Sequence, residues 1–169
     1  MGTAENMTQA TGAEDPWFAY THAVVRLETP EGAVHISSAP PGQSCGEYPD
    51  HAGRTIYVIT AHNPRGQLVS DGENRRAQKR LKRELQQQGW NYWPAAGGDP
   101  SWTHVEASAA VVGVGESEVI ALGAKFGQDA IFVLTPASLR IVGCLESREL
   151  AAGWSIIPEA GAFERLQPE

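Results

Sequence analysis

Cysteine is nearly absent: Cys45 and Cys144 are the only two in 169 residues. Two thiols in unrelated contexts make neither a disulfide framework nor a zinc-ligand pattern, so reduced thiols in a cytoplasmic protein are expected. Long apolar runs are missing as well. None approaches the roughly 20 residues that a membrane-spanning helix needs. Positive charge is scarce, with 13 Lys and Arg against 20 Asp and Glu and a formal net charge of −7. Nucleic acids and anionic membranes select a basic footprint, and this balance argues against a general affinity for either. Residues 1–15 have no basic n-region and no apolar h-region, so no signal peptide is expected. The start Met1-Gly2-Thr3-Ala4-Glu5-Asn6 also lacks the Ser or Thr of a myristoylation signal.

What remains is a globular composition, 41% hydrophobic and 20% charged, on a chain long enough for one hydrophobic core. Residues 1–15 read as a disordered leader, 16–145 as a single α+β domain, and 146–169 as a tail partly packed on it through Trp154, Ile156, Ile157 and Phe163. Along the domain, residues 18–29 and 33–38 form a hairpin around Pro30-Glu31-Gly32, and 39–54 are a Pro- and Gly-rich loop. Residues 55–62 (TIYVITAH) are the clearest strand, stopped by Asn63-Pro64. A helix spans about 71–88, opened by a capping box of Ser70 and Glu73, striped by Ala77, Leu81 and Leu85, and closed by Gly89. Strands follow at 90–95 and 102–114, then a helix at about 117–126 and strands at 130–134 and 139–144.

From Thr55 the order is strand, helix, strand, strand, helix, strand. That order predicts a ferredoxin-like split βαβ core with a mostly antiparallel sheet, extended by the N-terminal hairpin and a C-terminal strand. In such a sheet five separate segments bring polar residues to one end. A strand spacing of about 4.8 Å sets His62, Glu106 and Gln128 roughly 10–12 Å apart there.

The same end carries four ordered motifs. Ile59-Thr60-Ala61-His62-Asn63-Pro64, Ser70-x-x-Glu73-Asn74, Trp102-x-x-x-Glu106-x-Ser108 and Phe126-Gly127-Gln128-x-Ala130-Ile131 resemble the bacterial family catalogued as domain of unknown function 3293. The likeness runs over about 18–143. It implies a bacterial source and no activity. That family more often has an aromatic residue in place of His62, so a histidine role there is either private to this chain or absent.

The leading expectation is a small-molecule site at this end for a polar or anionic ligand. Glu106 is its candidate general acid or base, with His62 and His104 as further catalytic candidates. Asn63, Arg65, Asn74, Arg75, Trp102 and Gln128 are the candidate ligand-binding residues, the arginines and the helix N-terminus suiting an anion. His104, Glu106 and Ser108 alternate on one expected strand and so share a face, yet neighbours roughly 7 Å apart cannot relay a proton as a triad. A facial metal triad of His62, His104 and Glu106 is conceivable, but nothing in the spacing compels it, and no metal or other cofactor is predicted. The rival expectation is a non-catalytic interaction module. Its contact surface is the basic helix 75–83, beside the aromatic strand 90–93, and its partner a protein or RNA. A third reading has Asn63 and Gln128 merely locking loops through backbone groups.

Overall fold

The run IYVIT has no polar face, so a strand made from it must be covered on both sides. The computed structural model, which describes residues 16–159, covers both sides in different ways. Helix α1 (Pro16–Tyr20) is followed by strands β1 (Val24–Thr29), β2 (Gly32–Ala39), β3 (Ser44–Cys45) and β4 (Ile56–Thr60). Then come α2 (Asp71–Gln88), β5 (Asn91–Gly98), β6 (Val105–Val112), α3 (Glu116–Lys125), β7 (Ala130–Thr135), β8 (Ser138–Gly143) and β9 (Glu149–Ile157). Tyr57 and Ile59 of β4 point outward under α2 and α3, packing with Ala77, Leu81, Leu85, Val119 and Leu122. Ile56 and Val58 point the other way, into a second core with Leu27, Ile36, Val112, Leu134 and Trp154.

That second core is the inside of a barrel. The strands run β2-β1-β5-β6-β4-β7-β8-β9, and β2 pairs with β9 to close the ring. Every pairing around the ring is antiparallel. The short β3 adds a parallel pairing to β9. An eight-stranded ring encloses a space just wide enough for side chains to fill, and Trp154 with the Val, Ile and Leu of the inner faces fills it. Tyr20 of α1 stands edge-on to Phe132 of β7 at 6.1 Å, and Trp17 is buried.

The ferredoxin-like α+β sheet is therefore corrected to a closed eight-stranded antiparallel barrel with one extra strand. The expected neighbours of the middle four strands are present as β5-β6-β4-β7. An open sheet, however, would leave two edges and one face bare, and here β1–β2 and β8–β9 grow from those edges until β2 and β9 meet. A pattern of strands and helices has no term for that closure. Residues 149–157, with Gly153 among them, were read as tail and instead supply the closing strand β9. Residues 16–20, expected in part as strand, are helical, and β6 begins only at Val105. Residues 99–104 form a turn: Asp99 Oδ1 accepts the N–H groups of Thr103 at 2.9 Å and His104 at 2.7 Å. The expected leader at 1–15, and Phe163 in the tail, lie outside the described residues.

Helix α2 starts as its sequence dictates. Ser70 caps it, accepting the Glu73 N–H at 3.1 Å, and Gly89 ends it in the left-handed region at φ 71°. Among the described residues, no helix is long and apolar enough to cross a membrane.

Candidate functional site

Asn63 follows β4 in a left-handed conformation, φ 47°, one of the few conformations that Asn tolerates better than other residues with a Cβ. Its position lets it bond in four directions. The Asn63 N–H donates to Asn74 Oδ1 at 2.9 Å, and Asn74 Nδ2 donates back to Asn63 Oδ1 at 3.1 Å. The same Oδ1 accepts the Val69 N–H at 3.2 Å, and Asn63 Nδ2 donates to Glu106 Oε1 at 3.3 Å. Gln128 joins from the other side, its Nε2 donating to the carbonyls of His62 at 3.1 Å and Phe126 at 3.5 Å. The Arg65 N–H donates to the Gly127 carbonyl at 2.7 Å. A side chain at Gly127, which has φ 69°, would also bring its Cβ to 3.1 Å from Pro64 Cβ. The loop after β4 is thus stitched to the start of α2, to β6 and to the α3–β7 turn.

Tertiary folding does bring Asn63, Asn74, Glu106 and Gln128 to one end, as the motif order implied. The other candidates are scattered around them. His62 is half-buried, and burial holds its imidazole below the ordinary 6.5, against an opposing pull from Asp71. Glu106 is half-buried beside Gly97 of β5, and burial lifts its carboxyl above the ordinary 4.5, partly offset by the Asn63 hydrogen bond. His104 is exposed in the turn before β6, so it does not share the strand alternation of Glu106 and Ser108. No group of three His, Cys, Asp or Glu among the described residues is placed to hold a metal ion, so the His62, His104 and Glu106 triad does not assemble. Arg65 and Arg75 are exposed. Trp102, at φ 60°, stands edge-on to His35 at 6.3 Å and lines a cavity of about 370 Å³ with Arg26, Glu28 and Val105.

The small-molecule expectation fitted an open ferredoxin-like sheet and is corrected with it, since the sheet is a closed barrel filled by side chains. The side chains of Asn63, Asn74, Glu106 and Gln128 hydrogen-bond to one another and to backbone, and none of them lines the cavities of about 580 and 370 Å³. These bonds fasten the loop after β4 at the barrel end. Residues 59–131 match the family model described as Protein of unknown function (DUF3293). All four motifs, and the whole stitched loop, fall inside the matched segment. No curated protein and no solved structure matches the chain.

The larger cavity lies next to the stitching, within the same segment. It is a groove between α2 and α3, floored by Ala61, Pro64, Ala77, Phe126 and Gly127 and rimmed by Arg80, Arg83 and Lys125, with Glu84 and Gln87 completing the wall. Lys125 Nζ donates to Glu84 Oε1 at 2.9 Å across it. Sequence reasoning placed Arg80 and Arg83 on the basic helix but missed Lys125, Gln87 and the apolar floor. No spacing signal could have found them, because the groove exists only where two helices far apart in sequence lie side by side. A second omission is Gln78, buried on α2, whose Nε2 donates to the Ser108 carbonyl at 3.3 Å while its Oε1 has no partner.

The DUF3293 segment also contains the aromatic strand. Trp90 and Tyr92 pack against the core beneath the helices, and Trp93 packs against the barrel interior. Alternation along β5 divides the aromatics between two cores and leaves no row of rings for stacking on bases.

Proposed function

We propose that this chain is a non-catalytic binding module that docks an acidic protein partner on the outer face of α2. One observation carries the reading. Arg26, Arg54, Lys125, Arg140 and Arg148 each lie within 4.0 Å of a carboxylate oxygen. The cations with no ion pair among the described residues are Arg65 and the whole set on α2, namely Arg75, Arg76, Lys79, Arg80, Lys82 and Arg83. All are exposed. A protein with a net charge of −7 has carboxylates to spare, and leaving one helix unanswered concentrates an attractive field on one face. RNA is the poorer partner, because the acidic body repels phosphate and the nearby aromatics are packed away.

The test uses a fluorescein-labelled decaglutamate peptide and a single-stranded RNA ten-mer, each titrated with the protein at 20 mM and 200 mM salt. The peptide is expected to bind and to lose at least tenfold in affinity both with salt and in the Arg80→Glu/Arg83→Glu variant. Equal binding by wild type and variant, or tighter binding of the RNA, would overturn the reading.

A further inference from the structure

The groove beside the basic face makes a more specific demand on its partner. We infer that it seats one apolar side chain of an acidic segment that lies extended along α2. This inference rests on the docking function proposed above and names the partner's chemistry. The floor is apolar along its length, from Pro64 and Ala61 to Phe126. Its cationic rim is only partly spoken for: Lys125 is neutralised by Glu84, and Arg80 and Arg83 are not paired. An occupant that is only anionic would leave the floor wet, and one that is only apolar would leave the two guanidinium groups without counter-charge.

Length favours a peptide segment. The residues of α2 that line the groove run from Ala77 to Gln87, and at about 1.5 Å rise per residue that is about 15 Å. An extended chain covers this distance in about four to five residues at about 3.3 Å each. A volume of about 580 Å³ exceeds one side chain, so the backbone of the segment lies in the groove mouth while a single anchor fills the floor. Arg80 and Arg83, one turn apart on the same helix face, then meet carboxylates on either side of the anchor.

Two hexapeptides separate the anchor from the charge: Asp-Asp-Glu-Phe-Asp-Glu, and the same peptide with Ala for Phe, each fluorescein-labelled. Each is measured against wild type, Arg80→Glu/Arg83→Glu, Gln87→Trp, which fills the groove, and Gln88→Trp, which adds the same ring on an exposed neighbour outside the lining. The Phe peptide is expected to bind wild type about tenfold more tightly than the Ala peptide. Gln87→Trp is expected to erase that advantage and Gln88→Trp to keep it. Both peptides should weaken together in the double arginine variant. Equal affinity of the two peptides, with both still lost on arginine reversal, overturns the anchor and leaves the docking face standing. An advantage that survives Gln87→Trp places the anchor elsewhere and also overturns it. No arginine-dependent binding of either peptide overturns the anchor and the docking face together.

Discussion

Helix α2 uses its polar groups differently on its buried side and on its exposed side. At its N-terminal end Asn74 is buried, and its side chain both accepts from and donates to Asn63. Farther along, Arg80 and Arg83 are exposed beside a groove and pair with nothing. Polar residues at the first end answer one another and fix the path of a loop. At the second, one sign of charge is left over, and surplus charge at a surface is what an external partner can use. A polar cluster is thus not in itself a ligand site; what distinguishes the two regions is whether the hydrogen-bonding capacity is already consumed.

Four variants break or sharpen that contrast. The largest effect is expected from Asn74→Ala, which strands the Asn63 N–H and removes one of the bonds to its Oδ1. Unsatisfied buried groups cost about 1–3 kcal/mol each, so a loss of about 2–3 kcal/mol is expected in urea denaturation, with peptide affinity unchanged. A tenfold loss of affinity at undiminished stability would instead make the stitched end part of the binding site.

Arg80→Glu/Arg83→Glu should do the reverse. Binding of the acidic peptide falls by tenfold or more, about 1.4 kcal/mol, while stability moves by no more than about 0.5 kcal/mol, as for other exposed positions.

Glu106→Gln sharpens the locked end further. Burial raises the Glu106 pKa in the folded state, so the native protein holds this proton more tightly than the unfolded chain does. Stability from this group is fully present below the ordinary 4.5 and is lost as pH rises through the raised folded value. Gln cannot ionise and can still accept from Asn63. The variant should therefore melt at a higher temperature than wild type at pH 7, and the gap should close on acidification to pH 4. A constant gap would remove the buried carboxylate from the account.

The smallest effect belongs to His62→Phe. The folded-state pKa of His62 is lowered, so its contribution is present above about 6.5 and lost as pH falls through the folded value. The Phe variant should lose slightly less stability than wild type between pH 7 and pH 5 in parallel melts. Identical pH profiles would show that His62 is not desolvated.

Much of this was legible before the fold was. TIYVIT announced a strand, Ser70 with Glu73 and Gly89 announced both ends of α2, and the order of elements after Thr55 announced the neighbours of four strands. Local rules were enough there, because caps, periodicity and turn residues act within a few positions. They failed at 102–104, where Asp99 holds the turn with its own carboxylate and takes His104 out of the strand. They failed again at 149–157, where a strand broken by Gly153 has little periodic signal and is held by its partners β8 and β2.

The sequence by itself determined the acidic balance, the paired polar motifs and the basic helix, because composition and short-range pattern are properties of the chain. Tertiary structure alone decided that the sheet closes, that Trp93 goes inward while Trp90 and Tyr92 pack beneath the helices, and that Asn63 and Asn74 consume each other's hydrogen bonds. It also decided that Lys125 and Phe126 meet Arg80 and Arg83 across a groove. These outcomes depend on which distant groups become neighbours, and only the folded chain brings those groups together.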